Sequence, residues 1–159
     1  VLHNAHKKVE QSVPDDEIEK IKLLLVDDSP VERLALGHVL RDSGYAVDEI
    51  GDGATALTHI KEHEIDALLL DLQMPGVDGF DVLTYLQEHR RGLPVILLSG
   101  MPLHQIQGKV SALPSHELPP LLLKPIDPTQ LLGVLELQLA GGLTWNQPQA
   151  NSQDSAGTK

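Results

Sequence analysis

Four of the five short apolar runs in this chain end on a residue that can do chemistry. Lys22–Val26 (KLLLV) runs into Asp27-Asp28, Ile65–Leu70 (IDALLL) into Asp71, Pro94–Leu98 (PVILL) into Ser99, and Pro120–Leu123 (PLLL) into Lys124. Ala46–Ile50 (AVDEI) ends instead at Gly51-Asp52. Taken singly, an Asp or Ser at such a place is an ordinary helix or turn cap. Together they make a complementary set. Carboxylates about 4 Å apart at an effective dielectric near 20 repel by roughly 4 kcal/mol per pair. A hard divalent cation removes that penalty, and carboxylate and carbonyl oxygens with retained waters suit Mg²⁺. An ammonium and a hydroxyl opposite the metal would hold the remaining oxygens of a phosphoryl group. The set therefore fits a phosphoryl-accepting pocket whose nucleophile is a carboxylate.

Such a pocket needs the ends of several strands brought to one crevice. Four of the five runs lack clean polar alternation, as strands buried on both faces of a parallel sheet do. The segments between them carry helix punctuation. Ser29-Pro30-Val31-Glu32 reads as a capping box, with Ser29 as N-cap, Pro30 at the first helical position and Glu32 at the third. Its helix is expected to turn Val31, Leu34, Ala35 and Val39 inward and to end near Gly44. Asp127-Pro128-Thr129-Gln130 repeats that opening before a Leu131/Val134/Leu135 stripe. Alternating strands and helices predict an α/β, doubly wound domain over residues 21–141, with ligands outside the carboxyl ends of the strands. If the second strand lies at the sheet edge, the other four place three carboxylates, a hydroxyl and an ammonium around one crevice.

The chain has 159 residues, 23 acidic and 12 basic, for a formal net charge of −11. That balance argues against non-specific nucleic-acid binding, which needs Lys and Arg to neutralise phosphates. No cysteine is present, which excludes disulfides, thiolate metal sites and thiol nucleophiles. Apolar runs of about five residues fall far short of the roughly 18 a membrane helix needs. No basic and apolar leader opens the chain, so a cytoplasmic setting is expected. Residues 1–20 read as a linker or tail, and 142–159, rich in Gln, Asn, Ser and Gly, as a flexible tail. The missing initiator Met suggests a processed chain or an excised piece, and the tails on both sides favour an excerpt from a longer protein.

Val26-Asp27-Asp28-Ser29, Leu70-Asp71-Leu72-Gln73-Met74-Pro75-Gly76-Val77-Asp78-Gly79, Leu98-Ser99-Gly100 and Leu123-Lys124-Pro125 resemble, in order and spacing, the receiver domains of two-component response regulators. The resemblance covers about residues 21–140. It implies a flavodoxin-like five-stranded parallel sheet in the order 2-1-3-4-5 with five helices. By the same resemblance Asp71 is the phosphoacceptor and Asp28 a direct Mg²⁺ ligand, while Asp27 reaches the metal through water. The backbone carbonyl of Gln73 completes the metal site. Ser99 and Lys124 meet the phosphoryl group, and the Lys124-Pro125 bond is cis. The implied donor is a sensor histidine kinase or phosphotransfer protein, and the implied output a changed protein-binding face on a downstream protein or fused domain. The domain is then a regulatory switch and not a turnover enzyme, with no direct nucleic-acid binding and no membrane partner.

Two features depart from the family pattern. The position three residues before the lysine, usually Tyr or Phe, is Leu121, which has no polar tip. The interval from Ser99 to Lys124 is long and rich in Pro and His. Leu103, Ile106, Val110 and Leu113 predict a fourth helix over about 102–112, with 114–119 as an extended loop. Met101, apolar, is expected beside the path of a water that would attack the phosphoryl group.

Rival readings are weaker. His59-Ile60-Lys61-Glu62-His63 fits an inverted zinc-peptidase motif but reads better as a solvated helix face. A dehalogenase-like phosphatase would want an acid where Gln73 stands, and dinucleotide binding wants glycines where Asp27–Pro30 stand. The remaining alternative is a phosphorylation-independent pseudo-receiver that serves as a protein-interaction module.

Overall fold

A computed structural model describes residues 18–115 and 117–141. The expected tails, apart from residues 18–20, lie outside the described residues. The elements alternate throughout: β1 (Lys22–Val26), α1 (Pro30–Asp42), β2 (Ala46–Ile50), α2 (Gly53–Glu62), β3 (Ala67–Asp71), α3 (Gly79–His89), β4 (Val95–Ser99), α4 (Leu103–Val110), β5 (Leu121–Leu123) and α5 (Pro128–Leu139). The strands form one parallel sheet in the order β2-β1-β3-β4-β5. This is the expected doubly wound order, with β2 at one edge.

The unbroken Leu/Ile/Val character of the central strands follows from burial on both faces. Successive strand residues point to opposite sides. Leu24, Val26, Leu68, Leu70, Val95 and Leu97 enter one core cluster with residues of α2, α3 and α4. Leu23, Leu25, Leu69, Ile96 and Leu98 enter the other, with residues of α1 and α5. Each of these Leu side chains contributes about 1.5–3 kcal/mol when fully buried.

The helix signals hold in outline and fail in two details at α1. Ser29 caps the helix, accepting from Glu32 N at 3.4 Å, and Gly44 follows its end at φ +96°. The expected inward set, however, faces water: Val31 is 78% and Leu34 66% exposed, and Ala35 is exposed too. Leu36, Gly37 and Leu40 are buried in their place, while Val39 is half-buried. Two stripes on α1 satisfy the helical period, and the one containing Gly37 wins. A Cβ at Gly37 would meet the end of the Glu49 side chain of β2, which would have to swing aside. The second failure is the capping box: no bond from the Glu32 side chain back to Ser29 N completes it, and that side chain bonds Lys124 instead.

The long interval before β5 is also resolved. α4 ends at Val110, two residues earlier than expected, because the chain tightens there into bonds from Ala112 N to Lys109 O and from Leu113 N to Val110 O. That turn carries Leu113 into the core. Beyond Pro114 the loop is pinned by Gln87 of α3, which is 1% exposed. Its Nε2 donates to Ser115 O (3.2 Å) and Glu117 O (3.3 Å), and its Oε1 accepts from Ser115 N (3.0 Å).

One close approach fixes the end of β3 against α3. Gly79 N donates to Leu72 O, and a Cβ on Gly79 would overlap the Asp71 carbonyl oxygen and stand 2.6 Å from Leu72 Cα. Both neighbours are backbone and cannot swing aside. Gly79→Ala is expected to destabilise the fold by about 1–3 kcal/mol, the usual cost of overpacking. Urea denaturation checks this, and an unchanged midpoint would show that the loop can retreat without cost.

Candidate functional site

The carboxyl ends of β1, β3, β4 and β5 meet at one edge of the sheet. Asp71 is the last residue of β3 and pairs in register with Leu98, so Ser99 stands one residue beyond it on the neighbouring strand. Asp27 and Asp28 follow β1 directly. Asp27, Asp71 and Ser99 are 0%, 2% and 0% exposed, whereas Asp28 is open to solvent. Oxygens of Asp27, Asp28 and Asp71 all lie within 4.8 Å of one another, and among the described residues this is the group placed to hold a metal ion. An all-carboxylate set with one solvent-facing member fits a hard, oxygen-loving divalent cation that keeps some of its water.

Lys124 closes the site from β5. Its Nζ donates to Asp27 Oδ2 at 3.0 Å, to Asp71 Oδ2 at 3.1 Å and, by a short bond, to Glu32 Oε2. The backbone on either side locks the side chains in place. Ser29 N donates to Asp27 Oδ1 (2.9 Å), Gln73 N to Asp71 Oδ1 (3.0 Å) and Lys124 N to Ser99 O (2.8 Å). Ser99 Oγ accepts from Met101 N at 2.9 Å. The Lys124-Pro125 bond is cis, as the resemblance implied.

Burial dominates the electrostatics. It pushes the Asp71 carboxyl up to about 6, against the hydrogen bond from Gln73 N and the charge of Lys124, and Asp27 adds to the rise. For Lys124 burial works the other way, but hydrogen bonds to Glu32 and Asp27 and the charges of Asp71 and Asp27 outweigh it and raise the ammonium's pKa. The lysine is therefore a fixed positive charge, and Asp71 is the group whose charge responds to what binds.

All six expected site residues lie at this edge. Gln73 is exposed there, with its backbone N–H on Asp71. Met101 lines a cleft of about 350 Å³ with Gln73, Asp78 and Lys109, its side chain 6% exposed and packed against the core. Leu121 packs half-buried against the same core cluster. His59 and His63 stack on each other at 4.2 Å, and His59 Nε2 lies 3.2 Å from Asp48 Oδ2. His59 is thus half-buried, while Lys61, Glu62 and His63 of the same motif are exposed.

Two contributors escaped the sequence reading. Glu32 was absorbed by the capping-box pattern, although α1 opens directly at the crevice. Arg33 donates from Nη1 to the Asp27 backbone oxygen at 2.6 Å and so braces the acidic pair. An arginine one turn into the first helix was the available signal.

The raised Asp71 carboxyl gives a pH prediction. Without a cation, the native state keeps a proton on Asp71 between the ordinary value of 3.8 and about 6, where the unfolded chain has lost it. The native state then binds more protons than the unfolded state, so this group's contribution to stability falls as pH rises through that window. In chelator, the melting temperature of Asp71→Asn relative to the parent should climb from pH 4 to pH 6. Saturating divalent cation, which favours the ionised form, should flatten the difference. Parallel curves in chelator would show that Asp71 is not held protonated by burial.

Comparison with known proteins agrees with this geometry. The family model described as the response regulator receiver domain matches residues 23–136. Sensor protein EvgS of Escherichia coli O157:H7 is 42% identical over 77 residues, 48% of this chain and 6% of that protein. Transcriptional regulatory protein ResD of Bacillus subtilis is 31% identical over 119 residues, 74% of this chain and 47% of that protein. The chain thus spans under half the length of either relative. Among solved structures, chemotaxis protein CheY4 of Vibrio cholerae superposes with a TM-score of 0.64 at 28% identity, covering 74% of this chain and 97% of that one. The strand order, the acidic crevice and these matches together make the chain a member of the response regulator receiver domain family.

Proposed function

We propose that this domain is a phosphorylation-dependent signalling switch in which Asp71 accepts a phosphoryl group from a sensor histidine kinase or phosphotransfer protein. The observation that carries the reading is the convergence of three strand-end carboxylates and Lys124 on one crevice. Asp28 and Asp71 would ligate Mg²⁺ directly, Asp27 through water, and the Gln73 carbonyl would complete the set. Bound Mg²⁺ would supply the positive charge that lets phosphoryl oxygens approach three acids. The ionised Asp71 attacks phosphorus as the phosphorus–nitrogen bond of the donor's phosphohistidine breaks. The leaving imidazole keeps that electron pair and takes a proton from solvent. The Lys124 ammonium neutralises the phosphoryl oxygens, and the Ser99 hydroxyl donates to one of them once its side chain turns from Met101 N.

The exposed Val31, Leu34 and Ala35 face of α1, beside Asp28, gives a donor an apolar surface to land on. On the output side, α4, β5 and the start of α5 are poor in charge, so a partner would read an apolar face there. The switch works as a regulatory domain over 21–141, between linker-like flanks, in the cytoplasm. No helix among the described residues is long and apolar enough to cross a membrane.

Incubation with a small phosphoryl donor and Mg²⁺ should add one phosphoryl group to the parent and none to Asp71→Asn, read by intact mass. Millimolar Mg²⁺ should also raise the parent's melting temperature by mass action, and Asp28→Asn should weaken that rise. A parent that gains no mass and melts identically with and without Mg²⁺ would replace this reading with that of a phosphorylation-independent interaction module.

A further inference from the structure

The Lys124 ammonium has three N–H donors, and three carboxylates take them: Asp27, Asp71 and Glu32. A phosphoryl group on Asp71 needs one of these donors. The three present partners differ in how readily they can yield. Asp27 is fully buried and also accepts from Ser29 N, so losing the ammonium would strand a desolvated charge. Asp71 would carry the phosphoryl group itself. The Glu32 side chain is 47% exposed, stands on the first turn of α1 at the mouth of the crevice, and can be rehydrated where it stands.

We infer that Glu32 is an intramolecular competitor for Lys124: it occupies the ammonium in the unphosphorylated domain and must release it when a phosphoryl group arrives on Asp71. The inference rests on the phosphoacceptor reading above. Glu32 acts through Lys124 and is a positioning residue. Its negative charge opposes loading twice, by holding the ammonium and by repelling the incoming phosphoryl oxygens. Because the pair is half-exposed, water and salt screen it, and its influence is that of a tuning element and not of a lock.

Beryllofluoride, a small mimic of an aspartyl phosphoryl group, provides the test in the presence of Mg²⁺. Glu32→Gln keeps the size of the side chain and removes the charge, at a position exposed enough not to threaten folding. The variant should bind beryllofluoride about fivefold more tightly than the parent, the upper range for an exposed ion pair. The Lys124 side-chain resonance of the ligand-free protein should also differ between the two, as a merely structural role for Glu32 would not require. Equal or weaker binding by Glu32→Gln, with a parent that binds normally, overturns the inference and leaves the phosphoacceptor reading intact. Tighter binding with an unmoved Lys124 resonance also overturns it, because the effect would not pass through Lys124. A parent that binds no beryllofluoride removes both readings together.

Discussion

One ammonium holds the functional edge of this domain together. Lys124 follows the fifth strand, and its partners come from the end of β1, the first turn of α1 and the end of β3, at sequence separations of 97, 92 and 53 residues. Its side chain is 17% exposed, and two of its partners are essentially buried. A buried ion pair of this kind seldom stabilises a fold more than an apolar replacement would, because desolvation costs about as much as attraction returns. Stability therefore does not explain the cluster. A parallel sheet that needed only to fold could have closed this edge with apolar residues, as it does one residue deeper with Val26, Leu70, Leu98 and Leu123. The excess of carboxylate over ammonium leaves a site that could hold a metal ion.

The sheet was legible in the sequence because its strands have no choice of face. When both sides of a strand are buried, every residue is apolar and the run ends where the sheet ends, so the first polar residue marks the crevice. That logic located Asp27, Asp71, Ser99 and Lys124 before any coordinates. It fails for α1 for a physical reason. That helix carries apolar residues on two stripes, and periodicity cannot say which one meets the sheet. What decides it is the packing of Leu36 and Leu40 with Leu23, Leu25 and Leu69 of the sheet, a tertiary relation that leaves no local signal.

Glu32 illustrates the same limit in electrostatic form. Its spacing from Ser29 satisfies a local pattern in which a glutamate returns to a backbone amide. That amide is already taken, since Ser29 N donates to Asp27 Oδ1, and the Glu32 carboxylate turns to the Lys124 ammonium instead. The ammonium lies across the fold, beyond the reach of a local pattern. Arg33 was hidden likewise, its guanidinium serving a backbone carbonyl that only the β1–α1 turn brings close. Local motifs thus brought Asp27, Asp71, Ser99 and Lys124 to one edge, gave Glu32 a partner it does not have, and said nothing of Arg33.

The absence of an aromatic at Leu121 bears on how the site is connected to the rest of the molecule. Leu121 packs into the core with Met101 and Ile106, so β5 offers no polar side chain that could trade between a buried and an exposed position. The polar contacts between the crevice side and α4 run through the other wall. Lys109 of α4 reaches Asp78 at 3.9 Å and lies 5.1 Å over the ring of Phe80, the two residues that flank Gly79 at the start of α3. Gly79 in turn packs on the Asp71 backbone with no room to spare. Gly79 thus links the Asp71 backbone to the two residues that Lys109 contacts. Meanwhile the loop beyond α4 is tied to α3 by Gln87. Both ties hold the C-terminal end of α4 and the loop after it, one at the start of α3 and one near its end. What joins α4 to the crevice on this wall is therefore α3 and not a side chain of β5.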